Sequence, residues 1–212
     1  MQQKSAAEPA PQKPARIRIL DAAHQLMLTV GLARATTKEI AKAAGCSEAA
    51  LYKYFASKEE LFIRVLAERL PTLGPLLGRL TAEPGEHTVE ENLTEVARQA
   101  ALFYEQSFPI AASLYAETQL KRRHDAAMRA MGAGPHMPIR GVDAYLRAEQ
   151  RAGRIHPYAD TFAAASLLLG ACAQRAFAYD STEEGEPPPL DTFAPALART
   201  LLRGISVAEG PY

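Results

Sequence analysis

Tryptophan is absent from the chain, and cysteine occurs only twice, at positions 46 and 172. Neither cysteine has a second cysteine or a histidine nearby at metal-ligand spacing, so no disulfide framework and no metal site is expected. Such sparse thiols suit a reducing cytoplasm, which is the expected location. Long apolar runs are also missing. The most extended, Phe162 to Ala173, contains Ser166 and reads as too short to span a bilayer, and the opening MQQKSAAEPAPQKPAR has no apolar stretch of the kind a secretion signal needs. No membrane partner is expected. Enzyme signatures are absent too: there is no Gly-x-Ser-x-Gly elbow, no Gly-rich phosphate loop, no His-Glu-x-x-His and no Glu-x-x-His pair of a di-iron bundle. The chain therefore reads as a non-enzyme without a cofactor. An excess of either charge is lacking as well, since 24 Lys+Arg balance 24 Asp+Glu. That balance is not local. Residues 1–58 hold nine Lys+Arg against four Asp+Glu and carry +5, so the remainder carries −5. Any polyanion contact belongs at the N-terminus.

What is present is enough apolar material for a sizeable core: 48% of 212 residues are hydrophobic, which excludes a disordered chain. No stretch alternates β-branched residues and no repeat occurs, so the expected fold is all-α. Residues 1–14 read as a flexible arm rich in Pro, Gln, Ala and Lys. From Arg16, the three- and four-residue steps of Ile17, Leu20, Ala23, Met27 and Val30 predict a helix that Gly31 caps. Thr36-Thr37-Lys38-Glu39 is a capping box opening a short helix that Gly45 ends. Ser47 is an N-cap for another helix through Phe55, and Ser57-Lys58-Glu59-Glu60 is a second capping box. Pro71 and Gly74-Pro75 predict an interruption, and residues 81–86 a loop. A third capping box, Thr88 to Glu91, starts a long helix. Pro109 fits the first turn of the next, which runs to about Met131 with a break near His124. Residues 132–138 form a turn before a helix closed by Gly153, and two more helices span 160–179 and 191–207 around an acidic, Pro-rich loop. About nine helices are expected in all.

Residues 36–55 have helix-turn-helix spacing, with Ala41 where the two helices approach and Gly45 where the turn needs a left-handed backbone. On the second helix Leu51 and Phe55, four apart, face inward. That leaves Ala49, Ala50, Tyr52 and Lys53 outward and Glu48 at the flank, small and polar groups that fit a major groove. Thr36, Thr37, Lys38 and Ser47 at helix starts, the hydroxyls of Tyr52 and Tyr54, and Lys58 at the next helix N-terminus suit phosphate contacts.

The run TTKEIAKAAGCSEAALYKYFASKEEL, Thr36 to Leu61, closely resembles the DNA-binding signature of the TetR family of transcriptional regulators, and the preceding helix with Gly31-Leu32 also fits. In two places the chain departs from that signature. Cys46 stands where the family usually has Val, and Ala49-Ala50 stand where Gly-Thr or similar is common. The alanines leave few polar atoms for base readout, so specificity would rest on Glu48, Lys38, Lys53, apolar contact to thymine methyls and DNA shape.

The resemblance implies a three-helix DNA-binding domain at 15–60 and a larger helical domain for effector binding and dimerisation at 61–212. It places the dimer interface on the last two helices. Their apolar stripes agree: Phe162, Ser166, Leu169, Ala173 and Phe177 on one, Phe193, Leu197, Leu201 and Ile205 on the other. An intramolecular core would use the same stripes. The resemblance also implies an effector pocket between reader and dimer helices. Its candidate linings are Phe103, Tyr104, Phe108, Tyr115 and Glu117 on the earlier helices and His124, Met128, Met131 and Tyr145 further on, suiting a largely apolar or aromatic effector. His124, beside Lys121, Arg122 and Arg123, otherwise reads as part of a solvated basic patch. The function implied is a cytoplasmic repressor that binds a palindromic double-stranded DNA operator as a homodimer and is released by a small effector. The alternative is a helical adaptor with a non-functional helix-turn-helix.

Overall fold

Local chemistry sets several of the helix boundaries. The computed structural model describes residues 13–85, 87–116, 118–179 and 186–205. Among these, ten helices follow one another: α1 (Ala15–Val30), α2 (Thr37–Ala43), α3 (Glu48–Leu51), α4 (Lys58–Glu68), α5 (Leu73–Ala82), α6 (Val89–Ala116), α7 (Thr118–Ala130), α8 (Met137–Arg151), α9 (Thr161–Tyr179) and α10 (Leu190–Ile205). At α2 the Thr36 hydroxyl accepts from the Glu39 backbone and the Glu39 carboxylate accepts from the Thr36 backbone, so two orphan donors are satisfied at once. Thr88 and Glu91 repeat the arrangement ahead of α6. At α4 only half of the expected box forms. Ser57 Oγ accepts from Glu60 N, but the Glu60 carboxylate reaches the Ala56 amide instead.

Two hydrophobic cores result. The first joins α1 through Ile19, Leu20, Ala23 and Met27 to Ile40 of α2, to Leu51 and Phe55, and to Leu61, Phe62 and Val65 of α4. Two ion pairs fasten the ends of α1 and α4: Arg16 grips Glu68 at 2.8 and 2.6 Å, and Arg69 Nε donates to Asp21 at 2.8 Å. The second core lies among α5, α6, α8, α9 and α10. There Gly141 lets α8 approach α5, since a Cβ at that position would sit 2.8 Å from Leu77 Cδ1. Glu149, fully buried, is gripped by Arg154 at 2.8 and 2.6 Å, and the same guanidinium donates to the His87 carbonyl at 2.9 Å, which holds the end of α8 to the approach to α6.

α6 belongs to both cores. Leu93, Val96, Ala97, Ala100 and Ala101 lie in the second, and Ile110 lies in the first. This corrects the expectation that Pro109 begins a helix: α6 runs through it. An internal proline removes one backbone hydrogen bond and costs about 3 kcal/mol. Burial of several side chains at about 1.5–3 kcal/mol each outweighs that, and anchorage in a core on either side of Pro109 keeps the helix continuous. The break expected near His124 does not occur there, since that residue lies well inside α7. The Gly74-Pro75 pair likewise starts a helix where an interruption was expected. Pro75 occupies the first turn of α5, where its missing N–H has no intrahelical partner to lose.

By length and composition alone, the 19-residue α9 is long and apolar enough to cross a membrane, although the apolar run 162–173 makes up only part of it. Here one of its faces, Ala164, Ala165, Leu168, Leu169, Cys172 and Ala176, fills the second core. Arg175, buried on the same helix, pairs with Glu105 of α6 and donates to the Pro188 carbonyl ahead of α10.

Candidate nucleic-acid interface

The turn between α2 and α3 is made by Gly45, whose φ of +66° lies in the left-handed region that disfavours a Cβ. The Cys46 amide donates to the Ala41 carbonyl at 2.9 Å across this bend. Ser47 then caps α3 by accepting from Ala50 N at 3.1 Å. The second helix is shorter than expected. Regular α-helix ends at Leu51, and the chain continues to Phe55 as tightened turns in which Lys53 N donates to Ala50 O and both Tyr54 N and Phe55 N donate to Leu51 O. Leu51 is 0% exposed and Phe55 1%, so the inward anchors hold as expected. Between and before them, Glu48, Ala49, Tyr52, Lys53 and Tyr54 are exposed and Ala50 is half-buried. Aligned this way, one short segment offers two phenols, an ammonium and a carboxylate to solvent while its opposite face is fixed in the core.

The expected phosphate contacts divide into two groups. Lys38 is exposed at the start of α2. Lys58 is half-buried with its ammonium 5.1 Å from the Phe62 ring centroid. The threonine hydroxyls are engaged within the protein: Thr36 with Glu39, whose carboxyl this bond holds below its ordinary range, and Thr37 with Glu48. Thr37 is 9% exposed, its hydroxyl donates to Glu48 Oε1, and the Tyr52 hydroxyl lies 3.5 Å from Thr37 Oγ1. Sequence reading missed this three-residue link, because Thr37 and Glu48 are eleven residues apart and meet only when the turn closes.

Residues 19–65 match the family model described as bacterial regulatory proteins, tetR family. The likeness to that family model by sequence is confined to this N-terminal segment, less than a quarter of the chain. The HTH-type transcriptional regulator YvkB of Bacillus subtilis is 40% identical over 65 residues, 31% of this chain, and the chain covers only about a third (34%) of that relative's length. Solved structures extend the likeness to the rest of the fold. The transcriptional regulator FadR of Bacillus subtilis, in complex with stearoyl-CoA, superposes with a TM-score of 0.64 at 18% identity, covering 89% of this chain and 98% of that one. NalD, the secondary repressor of the MexAB-OprM multidrug efflux pump in Pseudomonas aeruginosa, does so with a TM-score of 0.62 at 23% identity, covering 92% and 97%. These likenesses show a shared all-helical fold over about nine-tenths of the chain.

The residues expected to bind an effector lie in different environments among the described residues. Phe103, Tyr104 and Phe108 form a half-buried aromatic ladder on α6 that continues to Phe177 of α9, with centroid separations of 5.4, 6.3 and 6.1 Å. Met128 is half-buried, Tyr115 is 76% exposed, and Met131 is exposed at the end of α7. Tyr145 is fully inside the second core, where burial pushes its phenol well above the ordinary range. Glu117 lies outside the described residues. Surface clefts of about 470 and 530 Å³ lie elsewhere, one between α1 and the end of α2, the other beside the start of α6 and Pro195. His124 is buried rather than part of a solvated patch. It sits where α7 packs on α4, burial lowers its pKa, and among the described residues Nδ1 has no hydrogen-bond partner.

The α9 stripe also needs correction. Phe162 and Phe177 are exposed, and Ser166 and Ala173 are half-buried, but Leu169 points into the chain's own core and Leu167, 65% exposed, takes its place on the open face beside Gly170. On α10, Phe193 and Leu197 are half-buried, while Leu201 belongs to the second core. Ile205 has no described side-chain environment.

Proposed function

We propose that the chain is a cytoplasmic, non-enzymatic transcription regulator that binds double-stranded DNA as a homodimer through the open face of α3. The observation that carries this reading is the pairing of a fully buried Leu51–Phe55 anchor with an exposed Glu48–Ala49–Tyr52–Lys53–Tyr54 face in a segment that matches the tetR family. The reading head comprises residues 15–60 and the effector and dimerisation body residues 61–212. Lys38, Lys53 and Lys58 neutralise phosphates, and Tyr52, Tyr54 and Ser47 position the backbone. A palindromic operator follows from two copies of this head related by a dyad. The exposed Phe162, Leu167 and Phe177 face of α9 supports the dimer contact.

Repression is the mode we assign, relieved by a small, largely apolar or aromatic effector; the neighbouring NalD is a repressor and FadR was solved with an acyl-CoA. The aromatic ladder of α6 is the surface such a ligand would meet. Since α6 enters both cores and α7 packs on α4, an effector that favours one arrangement of α6 and α7 shifts α4 and with it the separation of the two heads. The test is retention on duplex DNA as a function of salt. Replacing Tyr52, Lys53 and Lys58 together should abolish retention at moderate salt and flatten the log–log salt slope by about two per head. Unchanged retention and slope would reject the assignment.

A further inference from the structure

We propose that Glu48 is a specificity-determining residue that selects a cytosine in each half-site, and that Thr37 positions it. The inference rests on the DNA-binding function proposed above and adds the base that is read. Glu48 is exposed on the face of α3 that the anchors Leu51 and Phe55 turn outward. A carboxylate carried into a groove between two rows of phosphates is repelled by both, so it lowers affinity for every sequence unless a base supplies a donor. The structure leaves one carboxylate oxygen for that purpose. Oε1 accepts the hydroxyl proton of Thr37, and among the described residues Oε2 accepts nothing. Thr37 is itself buried, β-branched and thus stiff at χ1, with the Tyr52 hydroxyl 3.5 Å from its oxygen, so the donor that fixes Oε1 is immobile.

The four bases respond differently to an acceptor held in this way. In the major groove guanine shows two acceptors and thymine an acceptor and a methyl, and both repel a carboxylate. Adenine shows an amino group beside the N7 acceptor, which partly cancels it. Cytosine alone offers an amino donor with no acceptor on its own edge. The neighbours Ala49 and Ala50 present only methyl groups and cannot override this preference. If Glu48 served only to tie α2 to α3, its replacement would weaken binding to all sequences alike.

The experiment is competition binding of the full chain to its own selected duplex, with each base pair replaced in turn and with N4-methylcytosine, whose methyl group takes the place of the amino hydrogen that faces the groove. Wild type should show one cytosine per half-site whose replacement by any other base, or by N4-methylcytosine, weakens binding about ten- to a hundredfold. E48Q should move the preference at that position to adenine, because a carboxamide pairs with N6 and N7 together. T37V should flatten the preference and T37S restore it, a pattern that general weakening of the fold does not produce. A wild-type site that tolerates N4-methylcytosine throughout overturns the proposal without any variant having to fold. So does an E48Q profile with the wild-type base preference, and T37V with undiminished cytosine preference removes the positioning role. Failure of wild type to select any duplex would instead reject DNA binding itself.

Discussion

Leu51 and Tyr52 are adjacent in sequence and should give opposite results when each is cut back to alanine. Leu51 is fully buried in the first core, shared by α1, α2 and α4, so its truncation removes apolar burial and leaves a cavity that the neighbouring helices fill only in part. Core Leu→Ala changes of this kind cost about 2–5 kcal/mol. For a chain of this size that corresponds to a fall in Tm of roughly 5–15 °C. Tyr52 is 45% exposed, and its hydroxyl makes one long contact to Thr37. Tyr52→Ala should therefore stay within about 0.5 kcal/mol of wild type while losing duplex retention. The assay is thermal unfolding followed by circular dichroism, run beside fluorescence-anisotropy titration with labelled duplex at fixed salt. If Leu51→Ala melts within a degree or two of wild type, the anchor is not where the structure puts it. If Tyr52→Ala binds as tightly as wild type, the outward face of α3 is not the reading face.

Removal of Arg154 should be more damaging than removal of its ion pair. Arg154→Met leaves the fully buried Glu149 carboxylate uncompensated and should cost about 3–5 kcal/mol in urea unfolding, whereas adding Glu149→Gln should recover much of the loss. Burial lowers the pKa of both His24 and His124, so the folded state disfavours their protonated forms. The unfolded chain then binds more protons, and stability present above about pH 6.5 is lost as the pH falls through that value toward the lowered ones, with a slope of at most about 1.4 kcal/mol per pH unit for each group. His124→Gln should flatten the acid limb of a Tm-against-pH curve, and an unchanged limb would show that His124 carries no such linkage. Leu167→Glu, on the open face of α9, should convert a dimer to a monomer in light scattering with little change in helix content; a dimer that persists would remove this face from the interface.

Several features set by local chemistry were legible in the sequence. The Thr36–Glu39 and Thr88–Glu91 boxes, the left-handed turn at Gly45 and the inward Leu51–Phe55 pair follow from residues within one or two turns of each other. Errors arose where distant packing overrode a local signal. Pro109 is a sound helix starter by its own chemistry, but residues on either side of it are held in different cores. Gly74-Pro75 reads as a breaker, yet falls in the one turn that tolerates it. Three basic neighbours mark His124 as solvated, yet the tertiary packing of α7 buries it. α9 is apolar on most sides, so periodicity could not separate Leu169, which faces the core, from Leu167, which faces out. The effector site was least legible. Residue type, even within the region the family resemblance implies, does not distinguish the stacked Phe103–Tyr104–Phe108 ladder from a core tyrosine such as Tyr145.

The central claim is that two copies of the α3 face read one duplex. Selection of bound sequences from a random duplex pool by the full-length chain tests it most directly. Two enriched half-sites, inverted about a dyad and centred about one helical turn or a whole multiple of it apart, are the predicted result. A pool that remains unenriched after repeated rounds, or enriches only a single unpaired element, would contradict it.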